Sequence, residues 1–270
     1  MSYEGIADQL ATRGHARIDL DAAEQDALGA VRDQAARFFA LPDTTKRRHA
    51  DADGLHGWRP HGMQHSGDPA LPDQCESFAF WEGRADLIPM HAGIRPFTAA
   101  LGEWWMIAMG IAEAITGQLA RRYSYPCDLD VGPSSYLEVN SYNARSDRTL
   151  LQTPHEDGHL VSLVVPDRPG LEIEDDGRMQ PARTRDGQLL VMPGSLLTAM
   201  TGGEIRPLFH QVRNHRYPKR TTVLAMVNTP FAWDYPPYQV GDGNRDVSMA
   251  DLSRRKCAMF GKPLPPPRLS

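Results

Sequence analysis

Thr153-Pro154-His155-Glu156-Asp157-Gly158-His159, followed at once by the apolar run Leu160-Val-Ser-Leu-Val-Val165, is the stretch that organises this chain. His155 and Asp157 lie two positions apart, and on a strand that spacing sends both side chains to one face. One imidazole beside one carboxylate makes two thirds of a 2-His-1-carboxylate metal site. Such a site holds one face of a non-haem Fe(II) ion and leaves the other positions open to oxygen and organic ligands. The third ligand has to come from farther along. His210, in Leu208-Phe-His-Gln-Val212, stands in an apolar strand context. A histidine there is most simply a hydrogen-bonded core residue, but its pairing with an H-x-D raises the ligand reading above that one. His159 is four positions from His155, a helical ligand spacing, but the run after it reads as strand. His215 follows Arg213-Asn214 and reads as a loop residue.

Outward from this stretch the chain is punctuated into short strands. Tyr136 to Tyr142 alternates, and Leu171-Glu-Ile-Glu, Asp175-Asp-Gly177 and Arg178-Met179 read as a hairpin with a D-G turn. Asp186-Gly187 precedes a strand at Gln188 to Met192, Pro193-Gly194 turns into another at Leu196 to Met200, and Gly202-Gly203 turns again. Phe209 to Val212 and Thr221 to Val227 complete the set. Turns every ~8–12 residues between such runs predict an antiparallel double-sheet jelly roll.

The first half reads differently. Ala16 to Leu20 is a short strand, and Asp21-Ala-Ala-Glu24 resembles a capping box that opens a helix with a stripe at Leu28, Val31, Ala35 and Phe38. Leu41-Pro42 ends it, and Lys46-Arg47-Arg48 reads as a solvated face. His49 to Asp73, rich in Gly, His, Asp and Pro, reads as an extended loop. The spacing of its His56, His61 and His65 matches no common ligand geometry, so these fit a pocket lining better than a metal site. Glu76 to Trp81 alternates as a strand, and Phe97 to Leu119 is the longest helical pattern, a scaffold helix for a sheet. The prediction is a mainly β fold with flanking helices, as one domain over 1–270. Its helical part spans 1–130, its jelly-roll core about 131–235 and its C-terminal tail 236–270.

Composition narrows the function classes. A net charge of −5 without a long run of one sign argues against a nucleic-acid surface. Cys75, Cys127 and Cys257 are widely spaced and form no C-x-x-C pair, which fits a reducing compartment. No signal pattern opens the chain, and its most apolar run, Trp104 to Ala112, falls short of the ~17–25 residues of a membrane span. The expectation is a cytoplasmic protein without membrane or nucleic-acid partners. Oligomeric state leaves no mark in the sequence.

Ten positions past His210, Arg220-Thr-Thr222 would place a guanidinium and a hydroxyl on one strand face, a natural carboxylate clamp. With the metal motif, these residues resemble the isopenicillin N synthase-like family of Fe(II)/2-oxoglutarate dioxygenases. Arg37-Phe-Phe-Ala-Leu-Pro-Asp-Thr-Thr-Lys46 looks like that family's F-F-x-L-P-x-x-x-K helix end, and Glu76-Ser-Phe-Ala-Phe80 like the strand after its substrate loop. Asn140-Ser-Tyr142 matches its N-x-Y element, Pro154-His-Glu-Asp157 its P-H-x-D, and Phe209-His-Gln-Val212 its distal-histidine strand. Arg220-Thr-Thr222 stands at its R-x-S position, with Thr in place of Ser, and Asn143 stands where many members carry Pro.

The resemblance implies a double-stranded β-helix, cupin-like core with iron ligands His155, Asp157 and His210. It implies that Arg220 and Thr222 bind the far carboxylate of 2-oxoglutarate, with Tyr142 and Asn140 assisting. It also implies Fe(II), 2-oxoglutarate and O2 as cofactor and cosubstrates, and a small-molecule substrate. That substrate would be oxidised as 2-oxoglutarate decarboxylates to succinate. The carboxylate at 157 argues against halogenation, so hydroxylation is the expected outcome, with desaturation or cyclisation as variants. Trp58, Arg59, His61, Phe78, Arg145, Asn228 and Phe231 are candidates for the substrate pocket. Arg59 and Arg145 would suit an amino-acid-derived or carboxylate-bearing metabolite, as in specialised metabolism. Two other readings stand beside this one: a same-fold oxidase that uses no 2-oxoglutarate, and a non-catalytic jelly-roll binding protein.

Overall fold

The computed structural model describes residues 3–51, 54–66, 68, 70–82, 92–125, 129–143, 146–229, 234–238, 247–248, 251 and 255. The helices are α1 (Ile6–Arg13), α2 (Ala22–Phe39), the short α3 (Asp43–Lys46), α4 (Arg95–Arg122) and α5 (Ser195–Met200). The strands of the first half are β1 (Ala16–Asp19), β2 (Gly57–Arg59) and β3 (Cys75–Phe80). The second half supplies β4 (Tyr136–Asn143), β5 (Leu150–His155), β6 (Val161–Pro166), β7 (Leu171–Asp175) and β8 (Arg178–Pro181). It continues with β9 (Gln188–Pro193), β10 (His210–Arg213), β11 (Lys219–Val227), β12 (Asp234–Tyr235) and β13 (Val247–Ser248).

Two antiparallel sheets face each other. The larger has the order β1-β9-β6-β11-β4-β3-β2, and the smaller β5-β10-β7-β8. Along β11 the side chains alternate between the two faces with the pleat's period of two. Val223, Ala225 and Val227 join the core shared with α1, α2 and α4. Leu224 and Met226 join the second core, between the sheets, with Leu171 and Ile173 of the smaller one. The helices therefore cover the outer face of the large sheet, and the small sheet covers its inner face.

Local chemistry starts the helices where expected. The Asp21 carboxylate accepts from Glu24 N at 2.9 Å, and the Glu24 carboxylate accepts from Asp21 N at 2.9 Å. That reciprocal capping box satisfies two of the N–H groups a helix start leaves bare. The stripe Leu28, Val31, Ala35 and Phe38 of α2 is buried, and α2 packs against α4. No helix among the described residues is long and apolar enough to cross a membrane.

Three expectations fail here for identifiable reasons. Leu196 to Met200 is the helix α5, not a strand. β9 has already taken the place beside β6, and the first N–H groups of α5 bond to the carbonyls of Asp157 (2.9 Å) and His159 (3.3 Å). Lys46 is not solvated: it is 3% exposed, with Nζ 2.5 Å from Glu76 and 5.1 Å above the Trp58 ring. A buried ammonium needs such a partner, and residues distant in sequence supply it. Finally, the helices-then-sheet division is crossed. β1, β2 and β3 all belong to the large sheet, with Ala16 opposite Val191 and Phe78 opposite Val139.

Candidate metal and cosubstrate site

His155 is the last residue of β5, and β10 pairs with it so that His210 lies directly opposite. Residues facing each other across an antiparallel pair bring their side chains together, and here the two ring centroids are 4.1 Å apart. Asp157 is already past the end of the strand. Its place beside His155 therefore comes from the chain turning after β5, not from the pleat that the two-residue spacing suggested. Its Oδ1 lies 3.9 Å from Nε2 of His155 and 3.9 Å from Nε2 of His210. One ligand atom from each of the three residues falls within 4.8 Å of the others.

The histidines are oriented for such a role. His155 Nδ1 is 2.8 Å from the Thr153 carbonyl, and His210 Nδ1 is 3.0 Å from the Leu208 carbonyl. A carbonyl only accepts, so each Nδ1 carries a proton, and each Nε2 is the ring nitrogen turned toward the gap, where the neutral ring would offer its lone pair to a metal. Burial by itself pushes the Asp157 carboxyl up. The His210, His155 and His159 imidazoles and the Ser162 hydroxyl more than offset this and hold it well below the usual carboxylate range. Two imidazole nitrogens and one carboxylate oxygen, buried and convergent, fit a divalent first-row metal.

The loop that carries Asp157 is braced from behind. Gly194, at the end of β9, packs against it so closely that a β-carbon there would sit 2.1 Å from the His159 carbonyl oxygen and 2.9 Å from that of Asp157. Its own N–H donates to Leu160 O at 3.1 Å. Backbone cannot yield as a flexible side chain can, so Gly194→Ala has to displace the loop. We expect it to cost about 1–3 kcal/mol of stability, the usual range for overpacking, and to weaken Co(II) binding. Thermal unfolding and a Co(II) titration check both, and a melt lowered with unchanged affinity would detach the brace from the site.

The clamp candidates lie farther along the same inner face. Directly opposite residues share a face, and on β11 and β4 Thr222 faces Asn140 while Arg220 faces Tyr142. Arg220 Nη1 donates to Thr222 Oγ1 at 2.9 Å, and its Nε is 3.1 Å from the Pro169 carbonyl. The guanidinium is 2% exposed and sits 4.9 Å from the Tyr142 ring centroid. Among the described residues, no carboxylate pairs with it. The Tyr142 hydroxyl donates to Gln152 Oε1 at 2.9 Å, and burial pushes its pKa well above the ordinary value. Tyr142 thus presents its ring to the guanidinium, while its O–H is engaged with Gln152. The amide oxygen of Asn140 is buried, with no hydrogen-bond partner among the described residues.

A small cavity of about 60 Å³ opens on the metal candidates, with Asn140, Glu138, His65, His159, Leu224 and Met226 among its walls. Most of the expected substrate residues are not there. Trp58 and Phe78 face each other across β2 and β3 and point into the helix-side core, where Phe78 packs on Phe38 and Phe97. Arg59, on the opposite face, bonds Glu138 Oε2 at 2.5 Å and is buried, so it is not the open cation expected for a substrate carboxylate. His61 is exposed and off the cavity wall. Asn228 is wholly buried: its Nδ2 donates to Ser134 O at 3.0 Å, and its Oδ1 is 3.0 Å from His159 Nδ1. It supports His159 from behind the wall. Arg145 and Phe231 lie outside the described residues.

Sequence reasoning passed over Ser162, Gly194 and Glu138, and weighed His159 only as a ligand. Ser162 carried a signal, being the one polar residue inside the run Leu160–Val165. Gly194 read only as a turn, because close approach to a distant loop leaves no local mark.

Comparison with known proteins supports the same chemistry. Residues 133–227 match the model of the 2OG-Fe(II) oxygenase superfamily. Gibberellin 20 oxidase 2 of Oryza sativa subsp. indica is 23% identical, over 92% of this chain and 69% of its own length. In fold, the chain is similar to a full-length Neurospora crassa protein solved in complex with alpha-KG and thymine. That match has a TM-score of 0.79 and 17% identity, covering 95% of this chain and 90% of the fungal one. The dioxygenase for auxin oxidation of rice superposes with a TM-score of 0.70 at 18% identity, covering 97% of this chain and 93% of its own.

Proposed function

We propose that this chain, a member of the 2OG-Fe(II) oxygenase superfamily and a 2-oxoglutarate-dependent dioxygenase, holds its iron with His155, Asp157 and His210 and oxidises a small polar metabolite. The observation that carries the reading is the convergence of two Nε2 atoms and one carboxylate oxygen within 4.8 Å. With iron and 2-oxoglutarate bound, the site supplies an oxidant made from O2 as 2-oxoglutarate decarboxylates to succinate and CO2, and the default outcome is hydroxylation of a C–H bond.

The chain's own residues supply position. Arg220 and Thr222 bind the far carboxylate of 2-oxoglutarate, the guanidinium through paired charge-assisted bonds and Thr222 through its hydroxyl. The Tyr142 ring holds the guanidinium from below, and the Asn140 amide faces the cosubstrate or substrate from the wall. Arg220 stands four residues from Leu224 of the cavity wall, about 13 Å along an extended strand. The clamp therefore grips the end of the acid remote from the metal. Leu224 and Met226 keep the reacting end apolar. Glu138, Asn140 and His65 meet the substrate with hydrogen-bonding groups. The fungal structure with thymine and the rice auxin oxidase are consistent with a compact ring compound, and Arg59, engaged with Glu138, gives no support to a carboxylate anchor.

Adding Fe(II) and 2-oxoglutarate to the purified protein without oxygen is expected to give a charge-transfer band in the visible. Screening small polar metabolites for stimulated succinate release then identifies the substrate. Turnover without succinate would replace this reading with an oxidase that takes all its electrons from the substrate. Absence of both band and turnover would leave a binding protein.

A further inference from the structure

The two oxygens of the Asp157 carboxylate face different partners. Oδ1 points into the gap, 3.9 Å from Nε2 of each histidine. Oδ2 accepts a hydrogen bond from Ser162 Oγ at 2.5 Å. Ser162 has no exposed surface and sits in β6 between Val161 and Leu163, both in the helix-side core. Its other neighbour within reach among the described residues is Met226 Sδ at 3.5 Å, a weak acceptor. A buried hydroxyl in an apolar strand needs a strong acceptor to offset its desolvation, and Asp157 is the one in place.

The two partners differ in how firmly they are held. Asp157 is on a loop. Ser162 is on an interior strand, opposite Met192 on one side and Met226 on the other. A side chain on a loop is thus tied to a point that two neighbouring strands immobilise.

We infer that Ser162 is a positioning residue that keeps Asp157 a one-oxygen ligand. The inference rests on the reading of His155, Asp157 and His210 as the ligand set. A carboxylate can bind a metal through one oxygen or through both. With Oδ2 tied to Ser162, only Oδ1 is left to turn toward the ion. The carboxylate then takes a single position and leaves the open face to exogenous ligands. Without the hydroxyl, Oδ2 is free to swing in, and the carboxylate loses the partner that sets its orientation.

Co(II), whose visible absorption reports coordination number, tests this on the whole 270-residue chain. We expect Ser162→Ala to lower Co(II) affinity 10–100-fold, the usual range for a partner behind a ligand, and to alter the Co(II) absorption in the absence of any substrate. Ser162→Thr, which keeps the hydroxyl, is expected to restore both. Circular dichroism confirms that each variant is folded, and if Ser162→Ala is not, Ser162→Cys keeps the volume while weakening the donor. Asp157→Ala is the companion variant. If it binds Co(II) as tightly as the parent, the ligand set itself is wrong. If it loses Co(II) while Ser162→Ala keeps the parent affinity and spectrum, the ligand set stands and the role of Ser162 is overturned. Failure of Ser162→Thr to rescue would likewise reduce Ser162 to a packing residue.

Discussion

Arg220→Ala is expected to raise the 2-oxoglutarate concentration needed for half-maximal turnover by about 10²–10³-fold while moving the thermal midpoint by no more than a few degrees. The first part follows from the guanidinium's position. It is buried on the inner face of β11, no carboxylate pairs with it among the described residues, and a hydroxyl stands at 2.9 Å to share an incoming anion. Hydrogen bonds to charged groups contribute about 1.5–3 kcal/mol each. Losing a paired set amounts to about 3–4 kcal/mol, or two to three decades in affinity. The second part follows from its contacts without ligand: backbone carbonyls, Thr222 and the Tyr142 ring. Truncation forfeits those bonds but also removes a desolvated cation, so the two effects largely offset. Arg220→Lys is expected to fall between, since it keeps the charge and loses the planar fork. Titrating 2-oxoglutarate against the Co(II)-loaded variants separates binding from turnover. A variant that loses 2-oxoglutarate binding and fold stability to the same extent would sink the clamp assignment.

His210→Ala is expected to weaken Fe(II) or Co(II) binding by more than about 100-fold, beyond the upper end for partners that merely support a ligand. Its Nε2 is 3.9 Å from Asp157 Oδ1, and no other described residue joins the three-atom cluster. His159 makes the informative control. It also lines the cavity and stands near Asp157, but its Nδ1 is bound to Asn228 and its ring packs edge-on to Tyr136 at 5.7 Å. We expect His159→Ala to keep metal affinity within about tenfold, less than the 10–100-fold loss typical of a partner that holds a ligand in place. Isothermal titration of both variants checks the pair. Loss of metal in His159→Ala with retention in His210→Ala would reverse the assignment. Melting curves recorded without metal show whether either variant loses affinity merely because it is less stable.

The elements legible in the sequence were those built from neighbours along the chain. The capping box at Asp21 and Glu24, the stripe of α2, the long pattern of α4 and the D-G turn after β7 all depend on residues a few positions apart. Each appears in the structure as expected. The alternating runs from Tyr136 onward became antiparallel strands for the same reason: the pleat has a period of two and the sequence displays it. Where the period gave out, the reading slipped. Leu196 to Met200 is apolar enough for either structure, and a sheet position already taken by β9 made it a helix.

Side-chain destinations were less legible, because a strand's pattern does not say which face is which. Trp58 and Arg59 are adjacent, so one had to face the helices and the other the inner side; pairing with β3 sent Trp58 to the helices. A shift of one residue would have exchanged them. Lys46 looked solvated because Glu76 and Trp58, which receive it, are far along the chain.

By itself the sequence determined the kinds of element, the antiparallel class and the set of groups from which a metal site could be drawn, because these follow from short-range periodicity and side-chain chemistry. Only the tertiary structure decided that His210 lies opposite His155, that Asp157 reaches the pair from a loop braced by Gly194, and that one of its oxygens belongs to Ser162. Those are matters of register and close approach between strands distant in sequence, set by packing of the whole core, and no local stretch encodes them.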